Sequence, residues 1–278
     1  MKTERILFII NRSSATGNNE AIGERLHAML DNSFGTGTDL QIKVVDEHIQ
    51  AKEHTESFLA MSDAPALIIS GGGGGTLRAI VEGICEGSEA GKLPERNRVR
   101  LASLRMGSGN IVAKQFGVPL DPEIALAGII DNLKNDRTAP CCVMRCEIGG
   151  NGGSPEVCYA TAMVGFGQFG RSSGDLARWH RRLPVLRKLI AGISGIERLT
   201  TTEYGLSMFM RLTWCVLWPN AAELIEMRIG EHTENIRLLA GAVMDFPLKQ
   251  LPFKAGVRVE EAALSLNLVP NPGRRALL

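Results

Sequence analysis

The sequence predicts an α/β protein: an N-terminal doubly wound, mostly parallel sheet, followed by a second, mainly antiparallel β domain. Two observations support the first half of this prediction. Strand and helix patterns alternate up to residue 134, and glycine-rich turns follow two of the strands. The second half rests on short alternating apolar and polar runs, which begin near Asn135. The predicted domains are residues 1–134 and 135–278, with a return of the extreme C-terminus to the first domain left open.

Strands and helices are predicted in strict alternation over most of the first domain. The predicted strands are Arg5–Ile10, Leu40–Val45, Ala66–Ser70 and Val99–Leu104, and the predicted helices are Asn18–Leu30, Glu47–Met61, Leu77–Cys85, Asn110–Phe116 and Pro122–Leu133. Strands separated by helices form a parallel sheet covered on both faces, and such sheets bind ligands beyond the carboxyl ends of their strands. The residues that follow the strands are therefore the candidates for a binding site.

The second domain is predicted to begin with a hairpin and to contain helical insertions. The hairpin joins Cys141–Ile148 to Glu156–Val164, the helices are Asp175–Ala191 and Tyr204–Leu217, and further strands are expected at Glu223–Ile229, Ile236–Met244, Val257–Glu260 and Leu264–Val269. The spacing of Cys141, Cys142 and Cys146 matches no zinc pattern, so these residues are interpreted as reduced thiols on a strand.

Composition excludes several classes of partner and location. The 278 residues carry a formal net charge of +1, so no global field attracts the chain to nucleic acid. No run of about 18 uncharged apolar residues predicts a spanning helix, and the N-terminal sequence lacks the pattern of a signal peptide. A cytoplasmic location is expected, with peripheral membrane association left open.

Three polar or glycine-rich turns fall at the predicted carboxyl ends of strands. They are Asn11–Gly17, Gly71–Gly75 with Thr76, and Gly107–Asn110. A strand, a glycine turn and a helix start point backbone N–H groups and the positive end of a helix dipole at one place, which suits a phosphate. The predicted nucleotide-binding residues are Asn11, Ser13, Gly17, Gly72, Gly73, Gly75, Thr76, Gly107, Ser108 and Asn110.

The order of these motifs resembles the diacylglycerol kinase catalytic domain, a family that includes bacterial lipid kinases and sphingosine kinases and is related to NAD kinases. The resemblance is carried by "NRSSATG" at Asn11–Gly17, "GGGGT" at Gly72–Thr76, "GSGN" at Gly107–Asn110 with the "VAKQFGVP" that follows, and "ATAMVGFGQFG" at Ala160–Gly170. It implies ATP as cofactor, Mg²⁺ if the chain is catalytic, and a lipid hydroxyl as phosphate acceptor.

The sequence departs from the family where the family has acids. The family motifs are G-G-D-G-T and G-T-x-N-D, and their two aspartates correspond to Gly74 and Ile111 in this sequence. The proline that is usual before the second motif is replaced by Arg105. The family's C-terminal D-G-E motif does not occur between Leu248 and Pro270. Catalytic and metal-binding residues are thus unknown. Asp245 is a weak candidate, and Asp46, Glu47, Asp175 and Glu203 are interpreted as surface or capping residues.

Phosphoryl transfer uses Mg²⁺ and a group that positions the nucleophile, and carboxylates commonly do both jobs. Their absence leaves two main hypotheses: an ATP-dependent lipid kinase whose catalytic competence is in doubt, or a non-catalytic nucleotide- or lipid-binding protein on the same fold. NAD kinase activity ranks third.

Two further stretches have alternative interpretations. Arg171–Lys188 mixes arginines with Trp179 and leucines, which fits either contact with an acidic membrane surface or a solvated helix packed on its own domain. Trp214 and Trp218, at helical spacing, are predicted to pack in a core. A homodimer is left open.

Overall fold

The computed structural model describes residues 5–14, 20–35, 37–91, 98–139, 141–149, 156–182, 190, 193, 196–222, 224–229, 231–244 and 265–270. The chain divides into two compact units, Met1–Thr161 and Ala162–Leu278. The predicted strand at Val257–Glu260 lies outside the described residues.

The first unit contains a four-stranded parallel sheet with helices on both faces. Its elements are β1 (Arg5–Asn11), α1 (Glu20–Phe34), β2 (Asp39–Val45), α2 (His48–Ala60), β3 (Ala66–Gly71), α3 (Gly74–Glu89), β4 (Val99–Ser103), α4 (Ile111–Gln115) and α5 (Pro122–Lys134). Each predicted element of this half is present, with ends that move by a few residues, and the parallel part of the fold class is confirmed.

The two central strands are apolar because both of their faces are covered. All seven residues of β1 and all six of β3 are buried. Along β1, Ile6, Phe8 and Ile10 belong to one core cluster, which also contains residues of α1 and α5. The intervening Leu7 and Ile9 belong to a second cluster with residues of α2 and α3. A continuous apolar run, rather than strict alternation, is what such a strand requires.

The strand order β2-β1-β3-β4 fixes where a ligand site can form. The chain passes from β1 outward to β2 and then returns across β1 to β3. The connections therefore leave β1 and β3 in opposite directions, and their carboxyl ends border a topological switch point. Sheets of this class bind ligands in the crevice at such a point.

A short antiparallel hairpin completes the first unit. It consists of β5 (Met144–Ile148) and β6 (Glu156–Ala160), with Cys146 directly opposite Cys158. Tyr159 of β6 packs against Val81 and Cys85 of α3. The hairpin therefore belongs to the first compact unit, although it follows residue 134, where the first domain was predicted to end. The predicted boundary stays a prediction.

The second unit is built on antiparallel strands, which confirms the other part of the fold class. Its elements are β7 (Met163–Phe166), α6 (Gly167–Arg182), α7 (Ile196–Leu217), a 3-10 turn (Pro219–Ala221), β8 (Leu224–Ile229), β9 (His232–Met244) and β10 (Ser265–Pro270). Strand β9 pairs with β7, β8 and β10, all antiparallel. Among the described helices, none is both long and apolar enough to cross a bilayer.

Four sequence predictions for the predicted second domain are wrong. The predicted strand Glu156–Val164 is broken at Thr161 and Ala162, and its two parts pair in different sheets. Helices α6 and α7 begin at Gly167 and Ile196, each eight residues before its predicted start, at Asp175 and Tyr204. Trp214 and Trp218 are half exposed and stack on each other, with ring centroids 4.2 Å apart, instead of packing in a core.

The cysteines fit the interpretation as free thiols. Cys146 lies on β5, whereas Cys141 and Cys142 precede the strand, and no cysteine is in a disulfide in the described part of the chain. Burial, together with the neighbouring Cys158, raises the pKa of the Cys146 thiol.

Candidate functional site

A buried hydrogen bond joins the two sides of the switch point. Asn11, the last residue of β1, donates from Nδ2 to Oγ1 of Thr76 in the first turn of α3, over 3.0 Å. The side-chain oxygen of Asn11 accepts from the backbone N–H of Ser13 over 2.8 Å. Thus one amide holds the turn after β1 and the start of α3 together, and both Asn11 and Thr76 are buried.

The glycine turn after β3 leads directly into α3. Gly73 is the N-cap residue in an extended conformation, and the helix begins at Gly74. A glycine cap has no side chain to accept the first N–H groups of a helix, in contrast to α5, where Asp121 accepts from Glu123 and Ile124. The first turn of α3 therefore offers backbone donors and a positive dipole end to an anion.

The turn after β4 touches the first glycine turn. A Cβ built on Gly107 would overlap Cα of Gly73 and lie 3.0 Å from its nitrogen. Asn110 holds this second turn closed, because its Oδ1 accepts from the N–H of Gly107 over 2.8 Å and its Nδ2 donates to the carbonyl of Gly107 over 2.7 Å. Asn110 itself takes the left-handed conformation, φ 52°, which asparagine tolerates better than most residues.

His48 supplies an imidazole at the glycine turn. It is the first residue of α2, its side chain is exposed, and a Cβ built on Gly75 would lie 2.5 Å from its Nε2. A side chain at position 75 would meet this imidazole, which would have to turn away. By contrast, a Cβ built on Gly74 meets nothing within 4 Å. The turn is thus closed on the side of His48 and open at Gly74.

Charged groups border the same edge of the sheet. The N–H of Arg12 donates to the carbonyl of Val45 over 2.9 Å, and its guanidinium forms an exposed ion pair with Asp46 at 3.4 Å. Ser13 Oγ donates to the carbonyl of Asp46 over 2.9 Å. An exposed pair of this kind adds little stability, so its guanidinium can turn to an incoming anion at small cost.

A known protein family matches the part of the chain that contains these turns. Residues 5–140 match the family described as "Diacylglycerol kinase catalytic domain". The match is a likeness over just under half of the chain. The matched segment includes the whole parallel sheet, both glycine turns and His48, so it contains the residues gathered at the switch point.

Named relatives and solved structures resemble the chain. A "Probable lipid kinase YegS-like" of Pseudomonas aeruginosa (strain UCBPP-PA14) is 31% identical over 127 residues, which are 46% of this chain and 37% of that protein. A protein of the same name from Stenotrophomonas maltophilia (strain K279a) is 32% identical over 128 residues, 46% of this chain and 37% of that protein. The matched segment thus spans little more than a third of these relatives.

The fold likeness extends over the full chain. The crystal structure of a putative diacylglycerol kinase from Bacillus anthracis str. Sterne aligns with a TM-score of 0.63 at 16% identity, covering 100% of this chain and 78% of that one. At this identity the likeness concerns the fold.

The two positions where the family motif has aspartate are held by residues without a carboxylate. Gly74 is exposed at the open side of the turn, and Ile111 is the first residue of α4. Among the residues that the structure describes, no three His, Cys, Asp or Glu side chains group to hold a metal. The backbone N–H groups at this edge of the sheet suit the phosphates of a ligand such as ATP.

The predicted binding residues that are described lie at this edge. Gly72, Gly107 and Asn110 are buried, Gly73 and Ser108 are half-buried, and Gly75 is exposed. Gly17 and Asp245 lie outside the described residues. Arg78 turns to Glu82, whose hydrogen bond raises the pKa of the guanidinium, and Arg105 donates to the carbonyl of Val118.

Two features escaped sequence reasoning. His48 could have been found, because it follows the carboxyl end of β2, the strand beside β1.

The second feature lies in the second unit. Asp175, which the sequence suggested as a surface or capping residue, accepts hydrogen bonds from Arg211 of α7, from Arg178 and from Ser207. Arg211 also donates to the buried Gln168 over 2.8 Å. This network ties α6 to α7, so Asp175 is a structural ion-pair residue. Glu47, in contrast, forms the expected capping box of α2.

Proposed function

We propose that this chain is an ATP-binding protein of the diacylglycerol kinase type that holds the nucleotide with its own residues but lacks the acids for efficient phosphoryl transfer. The observation that carries the proposal is the junction at the switch point, where the Asn11–Thr76 hydrogen bond and the Gly73–Gly107 contact bring three turns together around an uncapped helix start. Backbone donors placed in this way hold phosphates without a charged side chain.

In this proposal each part of the site contacts the nucleotide in its own way. The N–H groups at the start of α3 hold the phosphates, and the imidazole of His48 adds a side-chain donor beside Gly75. The turn Gly107–Asn110 closes the other side, where Asn110 keeps it in shape. Bound ATP would supply a transferable phosphoryl group, and in a competent kinase Mg²⁺ would neutralise the charge that develops on it.

Lipid phosphorylation is the second candidate, and the names of the relatives favour it. Both are called probable lipid kinases, and the fold neighbour is called a putative diacylglycerol kinase. On this alternative the phosphate acceptor is a lipid hydroxyl in a membrane, and the arginines of the segment Arg171–Lys188 help the protein bind the membrane surface. NAD kinase activity ranks third, since none of these names suggests it.

The experiment restores the missing acid. We expect the wild-type chain to bind ATP, and to transfer little of its γ-phosphate to diacylglycerol in mixed micelles with Mg²⁺. Gly74→Asp is expected to raise the transfer rate, because the position is open and a carboxylate at a helix start is electrostatically favoured. Gly109→Asp is the matched control, since Gly109 also faces open space but corresponds to no acid of the family.

The outcomes separate the hypotheses. The proposal would be contradicted if the wild type transferred phosphate as fast as Gly74→Asp and a Gly107→Ala variant transferred none. That result would favour a lipid kinase that does not need the acid. Absence of ATP binding in the wild type would contradict both. Equal gains from Gly74→Asp and Gly109→Asp would show that added negative charge, and not the family position, is responsible.

A further inference from the structure

One side of helix α7 is exposed and carries no charge. From Tyr204 to Trp218, every exposed residue is uncharged, and six are large and apolar: Leu206, Phe209, Met210, Trp214, Leu217 and Trp218. Phe209 is 66% exposed and Trp214 56%. Steps of three and four residues place these side chains along one side of the helix over roughly 18 Å. We call this set the α7 apolar face. Exposed apolar patches of this kind mark contact surfaces.

The opposite side of α7 already has its own packing. Ser207 and Arg211 bond to Asp175 of α6, and Cys215 is fully buried in a cluster with Ala222 and Leu239. The α7 apolar face is therefore not the packing side of the helix. An amphipathic helix of this kind, with its polar residues engaged on one side and aromatic residues on the other, is suited to lie in the plane of an interface.

Positive charge lies on the helix packed against α7. Helix α6 contains four arginines, Arg171, Arg178, Arg181 and Arg182, and all four are exposed. Its acid, Asp175, is only 18% exposed and is engaged by Arg211 and Arg178. The surface of α6 is thus positively charged, so a partner of the α7 apolar face should present an apolar layer bordered by negative charge.

We propose that the α7 apolar face rests on the surface of an anionic lipid bilayer, with the arginines of α6 facing the lipid phosphates. Tryptophan favours this boundary because its ring is apolar and its N–H is polar, and the stacked Trp214–Trp218 pair lies at the end of the face. A lipid surface supplies the apolar layer and the negative charge together. A second copy of the chain fits less well, because a twofold contact would bring the arginines of two α6 helices together.

This inference rests on the proposed function in one respect, since a lipid acceptor would lie in such a bilayer. The sequence left Arg171–Lys188 open between a membrane contact and a solvated helix. In the present proposal the apolar contact comes from α7, and the arginines of α6 supply the electrostatic part.

The test is sedimentation of the full chain with vesicles that contain no diacylglycerol, in buffer without ATP. We expect pelleting with an equal mixture of phosphatidylglycerol and phosphatidylcholine at low salt, and weak pelleting with phosphatidylcholine alone. Phe209→Ser and Trp214→Ser should each lower the partition coefficient by about tenfold or more, because each removes a large apolar side chain from the bilayer. Ile124→Ser is the matched control: Ile124 is 62% exposed on α5 of the first unit, and its loss should change nothing.

Two results would overturn the inference. One is partitioning of the Phe209→Ser and Trp214→Ser variants at the wild-type level, checked against thermal unfolding curves that match the wild type. The other is a wild-type dimer in sedimentation velocity that both variants convert to monomer, which would assign the face to a second copy. Neither readout depends on ATP, so a failed proposal of nucleotide binding leaves this test intact.

Discussion

The hydrogen bond from Asn11 Nδ2 to Thr76 Oγ1, 3.0 Å long and buried, links residues 65 positions apart in the sequence. It joins the end of the central strand β1 to the first turn of α3, directly after the glycine turn that follows β3. The same asparagine orients the turn after β1 through the N–H of Ser13. One side chain thus sets the geometry of two of the three turns at the switch point.

Asn11→Ala should destabilise the fold. It leaves a buried Thr76 hydroxyl and the N–H of Ser13 without their partner, and the expected loss in the free energy of unfolding is about 1–3 kcal/mol. Urea denaturation followed by circular dichroism measures it. Asn132→Ala is the control, because Asn132 is exposed on α5; equal losses from the two substitutions would refute the assigned role of Asn11.

Gly107→Ala should separate the two glycine turns. The new Cβ would overlap the backbone of Gly73, and forced overpacking of this kind costs about 1–3 kcal/mol. Gly109→Ala, two residues away, adds the same methyl group where nothing lies within 4 Å, and is expected to stay within about 0.5 kcal/mol of wild type. Thermal unfolding compares the pair. If Gly107→Ala is as stable as Gly109→Ala, the two turns are not in contact in solution.

His48→Ala should weaken ATP binding without harming the fold. The imidazole lies beside Gly75, and a hydrogen bond to a charged phosphate is worth about 1.5–3 kcal/mol, or a rise in Kd of about tenfold or more. His54→Ala on the same helix is the matched control and should bind as wild type does. Isothermal titration calorimetry measures both. Equal affinities would mean that His48 only covers the turn.

The sequence predicted the first unit well for physical reasons that are visible in β1 and β3. Both strands are continuous apolar runs because helices cover both faces, and the glycine turn after β3 lies where the backbone of Gly107 and the imidazole of His48 come close. The second unit was harder to predict. The segment from Gly167 to Ser172 contains glycines and serines, which have low helix propensity. It is nonetheless helical, and the burial of Gln168 and Ser172 in tertiary packing overrides that propensity.

Contacts between residues far apart in the chain could not be predicted from the sequence. The Asp175–Arg211 pair spans 36 positions, and a pattern of acids and bases along the chain does not specify which of them meet. The missing acid at position 74, in contrast, was visible in the sequence, because a glycine stands where the family motif has aspartate. The structure adds that this position is open to a side chain.

Acid should remove the contribution of the Asp175–Arg211 pair. Hydrogen bonds from Arg211, and then from Arg178, hold the pKa of Asp175 below its ordinary value. A lowered folded-state pKa contributes stability that is complete above the unfolded value of about 3.9 and is lost as the pH falls through the folded value. Asp175→Asn should therefore cost about 2 kcal/mol at pH 7 and progressively less below about pH 4.

Urea unfolding at pH 7, 5, 4 and 3 measures this difference. Glu147→Gln is the control, because its ion pair with Arg145 is exposed and should be worth less than about 1 kcal/mol at any of these pH values. A cost of Asp175→Asn that does not shrink in acid would mean that packing, and not charge, makes this residue important.

The central claim is that the glycine turns at the switch point hold a nucleotide through backbone donors. A calorimetric titration of ATP into the wild type and Gly107→Ala, with and without Mg²⁺, tests it most directly. We predict one ATP per wild-type chain, an affinity that changes little when Mg²⁺ is removed, and a clear loss of affinity in Gly107→Ala while Gly109→Ala binds as the wild type does. No binding by the wild type, or equal binding by Gly107→Ala, would contradict it.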